Sequence, residues 1–281
     1  MTKHAMCWCS AGALAATFTA CGSVKDTAAA DAAVTPDAVT ADATVMADAP
    51  PDGFPVLPSC KPVVAEISKI ENSDPGYGNG CIRGAWTLQA FNGTTTPVTA
   101  GQPNNNTLVA PISITGDATR PDMSSTFAVH VSGAGQMNPP NETGAYAQLT
   151  ASLNQGSDTD IGTVDASDYI GIQFYAKLTT GDAGARLTVG NLFTDPAGGR
   201  CVPDGTDNTG CYDNPGAQLV MSAEWKLYQV PFDSLEQLGY GLPIPKTFPK
   251  SAITHIKWDI GIPMMGATPA WDLWVDDLTF Y

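Results

Sequence analysis

The stretch YIGIQFYAKL, residues 169–178, constrains the fold more than any other part of the chain. Its apolar residues Ile170, Ile172, Phe174 and Ala176 alternate with Gly171, Gln173, Tyr175 and Lys177. A period of two sorts side chains onto opposite faces of an extended strand, which a helix cannot do. The signal recurs in ARLTVGNLF (185–193), AQLVMSA (217–223), KLYQVPF (226–232) and ITHIKWDIGI (253–262), with Gly, Pro, Asn and Asp between the runs. Many short strands punctuated this way predict an all-β fold, an antiparallel sandwich or barrel. The 28 glycines and 22 prolines suit so many turns. One helical segment is expected in FDSLEQLGYG (232–241), where Asp233 can cap, Glu236 stands three residues on and Gly239 can terminate.

Ahead of Cys60 the alternation is missing. Residues 1–21 place Lys3 and His4 before a run of small apolar residues, the outline of a secretory signal. That run closes on Phe18-Thr19-Ala20-Cys21, which resembles the bacterial lipobox with phenylalanine where leucine is usual. The resemblance implies that Cys21 is lipidated, so that the protein is exported and lipid-anchored at the bacterial outer membrane or cell surface. Several acyl chains on one residue hold where a single chain is marginal. The alternative is an ordinary cleaved signal with a chance cysteine. Residues 22–58 are rich in Ala, Asp, Thr and Pro, and their spaced aspartates repel one another. Such a segment buries too little surface to offset its ordering entropy and reads as a disordered tether. Pro36 and the Pro50-Pro51 pair oppose an alanine-rich helix there. Residues 59–281 are left as the sandwich domain. No apolar run is long enough to span a bilayer. With 28 acidic against 13 basic residues, the net charge of -15 repels phosphate backbones and excludes nucleic acid as a partner.

Four cysteines remain beyond Cys7, Cys9 and Cys21, namely Cys60, Cys81, Cys201 and Cys211. An even number in an exported domain reads as disulfides, and three pairings are open. Cys60–Cys81 and Cys201–Cys211 are favoured, because each closes a Gly- and Asp/Asn-rich loop that has no other staple. A Cys₄ zinc site is the rival, opposed by the lack of a C-x-x-C pair and by an oxidising compartment. The loop CVPDGTDNTGC offers Asp204, Asp207 and Asn208 without the spacing of an EF-hand, and reads as a solvated, disulfide-closed loop.

The ordered series GAWTLQAFNGT (84–94), GAYAQLTASL (144–153), VDASDYIGIQFYAK (164–177), GNLFTDPAGGRC (190–201), GCYDNPGAQL (210–219), EWKLYQVPF (224–232) and WDLWVDDLTFY (271–281) resembles the galactose-binding-like jelly rolls of carbohydrate-binding modules, family 11 in particular. The resemblance implies two antiparallel sheets, no intrinsic catalysis, a polysaccharide or other glycan as partner and a structural calcium ion. It matches Asp276 to the calcium-ligating aspartate of the closing strand, with Asp277 adjacent. Calcium takes six to eight oxygens, and Glu66, Glu71, Asn72 and Asp74 are candidates for the rest. The alternative makes these aspartates solvent-facing charges that discourage edge pairing.

A sugar site needs aromatic rings beside amides, carboxylates and cations. Gln173, Tyr175 and Lys177 share the face opposite Ile172 and Phe174, Asp272 and Trp274 share one face of the last strand, and Lys257 and Asp259 flank Trp258. Together these are expected to line one sheet, with Tyr212 closing an end. The rival is a solvated sheet face whose aromatics merely pack. Trp86, Trp225 and Trp258 are expected in the core. Catalysis is not expected, because Asp276 and Asp277, as strand neighbours, should face opposite ways and cannot flank one glycosidic bond. His130 and His255 lie in no nucleophile-elbow or metalloprotease motif. Two rivals to a sugar-binding lipoprotein remain: a structural or protein-binding surface lipoprotein, and a carbohydrate-active enzyme.

Overall fold

The structure, a computed structural model, describes residues 58–91, 94–97, 107–115, 117, 119–120, 125–134, 146–157, 160–180, 184–196, 201, 210–260 and 270–281. The expected signal peptide, Cys21, the tether up to residue 57 and the loop aspartates Asp204 and Asp207 lie outside them.

The described residues form two packed sheets and a short ribbon. The larger, nine-stranded sheet runs β1 (Ser59–Cys60), β12 (Thr163–Val164), β17 (Ile253–Ile260), β9 (Tyr146–Ser152), β4 (Ile82–Phe91) and β3 (Gly76–Asn79). To it are added β14 (Ala185–Asn191), which pairs with β17, β15 (Gly216–Leu219), which pairs with β14, and β6 (Thr107–Leu108) on β4. The smaller, seven-stranded sheet runs β16 (Lys226–Pro231), β13 (Gly171–Thr180), β18 (Trp271–Phe280), β8 (Phe127–Ala134) and β5 (Thr94–Thr96), with β2 (Glu66–Ser68) on β18 and β7 (Ile112–Ser113) on β8. β10 (Gln155–Ser157) and β11 (Asp160–Ile161) make the ribbon. The sandwich expected from the alternation is the fold observed.

Alternation fixes which residues fill the space between the sheets. Ile172, Phe174, Ala176 and Leu178 of β13 are buried, and Leu187 and Val189 of β14 and Ile256, Trp258 and Ile260 of β17 oppose them. Phe174 meets Trp258 edge to face across the interior, at 5.1 Å between ring centroids. Trp86 and Trp258 are in this core as expected, whereas Trp225 is buried in a second, smaller cluster with Ile114 and Ala128. Ile170 falls just outside β13 and is exposed. Both favoured disulfides are present, Cys60–Cys81 and Cys201–Cys211, with Cα atoms 5.5 and 5.2 Å apart.

The helix expected over 232–241 is not formed. Only a 3₁₀ turn, Phe232–Ser234, survives, with no side-chain cap. The backbone beyond it has other partners. Glu236 exchanges hydrogen bonds with Gly216, and the N–H groups of Leu238, Gly239 and Gly241 donate to the buried Asp213 carboxylate. These contacts outcompete a weak intrinsic preference, since isolated helices this short are unstable in water.

Candidate functional site

The residues expected on one ligand-binding face lie on two faces pointing away from each other. Gln173, Tyr175, Lys177, Asp272 and Trp274 are on the outer face of the smaller sheet, and Lys257 and Asp259 are on that of the larger one. Alternation shows which side of its own strand a residue takes, but not which sheet the strand joins.

On the smaller sheet that face is packed. Asp117 accepts hydrogen bonds from Trp225 Nε1 at 3.0 Å and Lys177 Nζ at 3.1 Å. The Lys177 ammonium sits 5.0 Å from the ring centroids of both Trp225 and Trp274. The His130 ring stacks on Trp274 at 4.0 Å, and its Nε2 is 3.0 Å from Asp272, which also accepts from Trp274 Nε1. Arg120 lies over Tyr175 at 4.9 Å. Gln173 is held by Gln229. The ring faces of Tyr175 and Trp274 thus meet protein cations and another ring, which is the packing alternative.

Asp276 and Asp277 do not face opposite ways. The pairing of β13 with β18 shifts between Gln173 and Tyr175, and Asp277 adopts φ 49°, so the last strand bulges there. The bulge brings both carboxylates to one guanidinium, that of Arg120, and the other Asp276 oxygen accepts the Asp277 N–H. The supplementary candidates Glu66, Glu71, Asn72 and Asp74 line one hollow, but their oxygens do not converge on a point that would hold an ion. Glu66 pairs with Lys69 at 3.1 Å, while Asn72 Oδ1 and Asp74 Oδ1 accept backbone N–H groups two residues on. Among the described residues no three His, Cys, Asp or Glu converge as a metal site. The arrangement does not fit the expected calcium ion, because its carboxylates already share a cation.

The larger sheet presents an open cleft of about 500 Å³. Its floor follows from strand pairing. Gln89 of β4 lines it, in a cross-strand row that runs on beyond the lining through Gln148 of β9, Asp259 of β17, Arg186 of β14 and Gln218 of β15. Thr87, Thr150 and Lys257 line it from the next row, which runs on to Thr188, and Ser152 and His255 from the row after that. Strands stand about 4.8 Å apart and same-face neighbours about 7 Å, so the floor is a lattice of amides, hydroxyls and charges. Thr188 Oγ1 donates to Asp259 at 3.1 Å. Burial raises the Asp259 pKa, opposed by Lys257, Thr188 and Arg186.

Next along β17, His255 lies flat over Gly190, where any Cβ would sit 2.1 Å from the ring. Its Nδ1 is 3.0 Å from Thr254 Oγ1 and 3.4 Å from Asp195, and the Asn214 amide is 3.4 Å from Nε2. Burial, aided by Lys257, lowers its pKa against the pull of Asp195. A neutral ring protonated at Nδ1 satisfies these contacts.

One wall is the double loop 210–214 and 236–244. Tyr212, in the left-handed region at φ 68°, is 44% exposed and lines the cleft beside Asp195. Tyr240, 61% exposed, donates its hydroxyl to the Tyr212 carbonyl. Partial desolvation of its hydroxyl against the wall, then Asp213 and Asp259, push the Tyr240 pKa up to about 12, so the phenol stays a neutral donor. Asp213 is the hub of this wall, Gln237 ties it to Leu242 and Ile244, and Arg186 donates to the carbonyls of Asn214, Gly216 and Glu236. Of the residues singled out in sequence, Tyr212 and Lys257 line the cleft, and Asp259 lies two residues beyond Lys257 on the same face of β17. Thr87, Gln89, Thr150, Ser152 and His255 were missed, although GAWTLQAFNGT and GAYAQLTASL carry four of them at alternate positions.

An antiparallel sandwich with one face packed and one polar cleft open is the class of protein these observations define. No family model matches the chain, and no curated protein does. Among solved structures it is similar to the family 11 carbohydrate-binding module from Clostridium thermocellum in complex with a β-1,3-1,4-mixed-linked tetrasaccharide, at 16% identity and a TM-score of 0.44 over 77% of this chain and 95% of that one. It is also similar to TmCBM61 in complex with β-1,4-galactotriose, at 9% identity and a TM-score of 0.34 over 77% and 97%. A third similarity is to the enzymatically active domain of bacteriophage CBA120 tailspike protein 4, at 12% identity and a TM-score of 0.32 over 77% and 21%. All three are remote, and the function proposed below is drawn from the cleft itself.

Proposed function

We propose that this protein is a non-catalytic, exported lipoprotein, anchored through Cys21, whose sandwich binds a polysaccharide in the cleft of the larger sheet. The observation that carries the reading is the floor. Gln89, Thr87, Thr150, Ser152, His255 and Lys257 present amide, hydroxyl, imidazole and ammonium groups at strand spacing beside the exposed Tyr212 of a cross-linked wall. A sugar ring offers hydroxyls at its rim and an apolar face, and both need rigid counterparts, because ordering flexible ones would cost affinity. The polar groups are already oriented by their neighbours, as Asp259 is by Thr188 and His255 by Thr254 and Asn214.

Two features support the non-catalytic part. Asp195 contacts His255, and Asp259 stands four residues further along β17. That spacing, about 13 Å along a strand, separates His255 from Asp259; among the described residues Asp195 is the one carboxylate lining the cleft, where glycoside hydrolysis needs a pair. No chemistry is proposed for His255, whose two nitrogens are occupied by neighbours.

Affinity electrophoresis and a glycan array on the purified protein test the reading. Retardation by a soluble polysaccharide that is lost in Tyr212→Ala and Lys257→Ala, and kept in Tyr175→Ala, is expected. Silence across the array would refute it. It would leave the exposed Leu238, Tyr240 and Leu242 as the surface of a protein-binding lipoprotein. Reducing-sugar release by the unaltered protein would instead establish the enzyme.

A further inference from the structure

We infer that Arg120 is a built-in cation of the last strand, holding the position a metal ion would take, so that the domain folds and stays folded independently of calcium. The inference does not depend on what the cleft binds. It rests on Arg120, Asp276 and Asp277 and on what surrounds them.

Asp276 has no solvent exposure and Arg120 is 3% exposed. A buried carboxylate demands a counter-charge, and breaking such a pair on one side leaves a charge that neither water nor a dipole relieves. Two solutions exist in principle, a divalent ion surrounded by oxygens or a guanidinium with its fork of donors. The chain has adopted the second. One terminal nitrogen of Arg120 pairs with Asp276 and the other with Asp277, and the bulge at Asp277 lets two consecutive residues reach one partner.

The guanidinium is also fixed by rings. Its carbon lies 4.9 Å from the centroid of Tyr175 and 5.6 Å from that of Trp225, so it is sandwiched between the carboxylates below and π faces beside. Guanidinium planes suit such stacking, and a hydrated calcium ion does not. A calcium ion brought to Asp276 would stand against this fixed charge and would find one oxygen already accepting the Asp277 N–H. Three residues before Arg120, Asp117 holds Lys177 of β13 and Trp225, while Arg120 itself holds the aspartates of β18. The cation therefore tethers its own short segment to the smaller sheet as well as neutralising the strand.

The test is differential scanning calorimetry on the full-length protein, dialysed against chelator and then measured with chelator or with millimolar calcium, alongside calcium titration calorimetry. The expected result is the same Tm in both buffers and no binding isotherm. Arg120→Gln is expected to lower Tm, and Arg120→Gln/Asp276→Asn to regain part of that loss, because the double variant removes the stranded carboxylate. A structural site saturated far above its Kd would raise Tm by several degrees. Such a rise in the unaltered protein, one calcium bound per chain, or fully additive losses in the double variant would overturn the inference. If Arg120→Gln does not fold, the calcium measurements on the unaltered protein decide alone.

Discussion

Replacing Asp213 with alanine should unfasten the wall of the cleft. The carboxylate is fully buried and accepts three backbone N–H groups, from Leu238 at 2.9 Å, Gly239 at 2.8 Å and Gly241 at 3.1 Å. Hydrogen bonds to a charged group contribute about 1.5–3 kcal/mol each. Three of them would total roughly 4–9 kcal/mol if the donors stayed buried and orphaned. They need not, because Leu238 and Tyr240 are exposed and the released loop can turn its amides to water. The net cost is then about 2–4 kcal/mol, and at about 2–4 °C per kcal/mol for a domain this size Tm should fall by roughly 5–15 °C. Hydrogen exchange locates the effect, with faster exchange at Leu238, Gly239 and Gly241 while Leu149 and Ile256 in the core strands stay protected. A Tm within about 2 °C of the unaltered protein, with those three amides still protected, would refute the assignment of Asp213 as the hub.

Gly190→Val should abolish glycan retardation without unfolding the sandwich, because its Cβ would stand 2.1 Å from the His255 ring and push it off the floor; affinity electrophoresis with circular dichroism reads both. His255 has a lowered pKa, chiefly through burial, so its neutral form is the stable one. Stability should therefore be fully present above about pH 6.5 and fall as pH drops below it, and His255→Gln should flatten that slope in urea titrations. Cys201→Ser/Cys211→Ser opens a loop of sequence separation 10, should cost roughly 2–3 kcal/mol, and should weaken binding by loosening Tyr212. Asp259→Asn should leave stability at pH 7 unchanged or raised, since burial already disfavours the charge; thermal melts at pH 7 check it.

Strands were legible where packing and local pattern agree. β13, β17 and β18 announce themselves because one side of each meets the opposite sheet, as Phe174 meets Trp258. The cleft was legible only in part. Tyr212 and Lys257 were singled out in sequence and line it, but separating them from Tyr175 and Trp274 required knowing that β13 and β17 belong to different sheets. Pairing over long separations decides that, and period two is silent about it. The acidic pair misled for a different reason. A single left-handed residue at 277 breaks the alternation, and Arg120 lies 157 positions from Asp277 in sequence. The predicted helix failed because Asp213, more than twenty residues upstream, binds the very amides that a helix would have used.

The Cys60–Cys81 disulfide has a mechanical meaning for any protein held by its N-terminal side. β1 pairs with β12 through two residues only, a grip that a modest pull would peel away. Cys81 immediately precedes β4, which pairs first with β3 and then, over residues 86–91, with β9 inside the larger sheet. Tension entering at Ser59 therefore bypasses the weak edge and passes through a covalent bond into the sheet interior, where several hydrogen bonds share the load in shear. In any such pull the disulfide spares the edge strand from acting as the fuse.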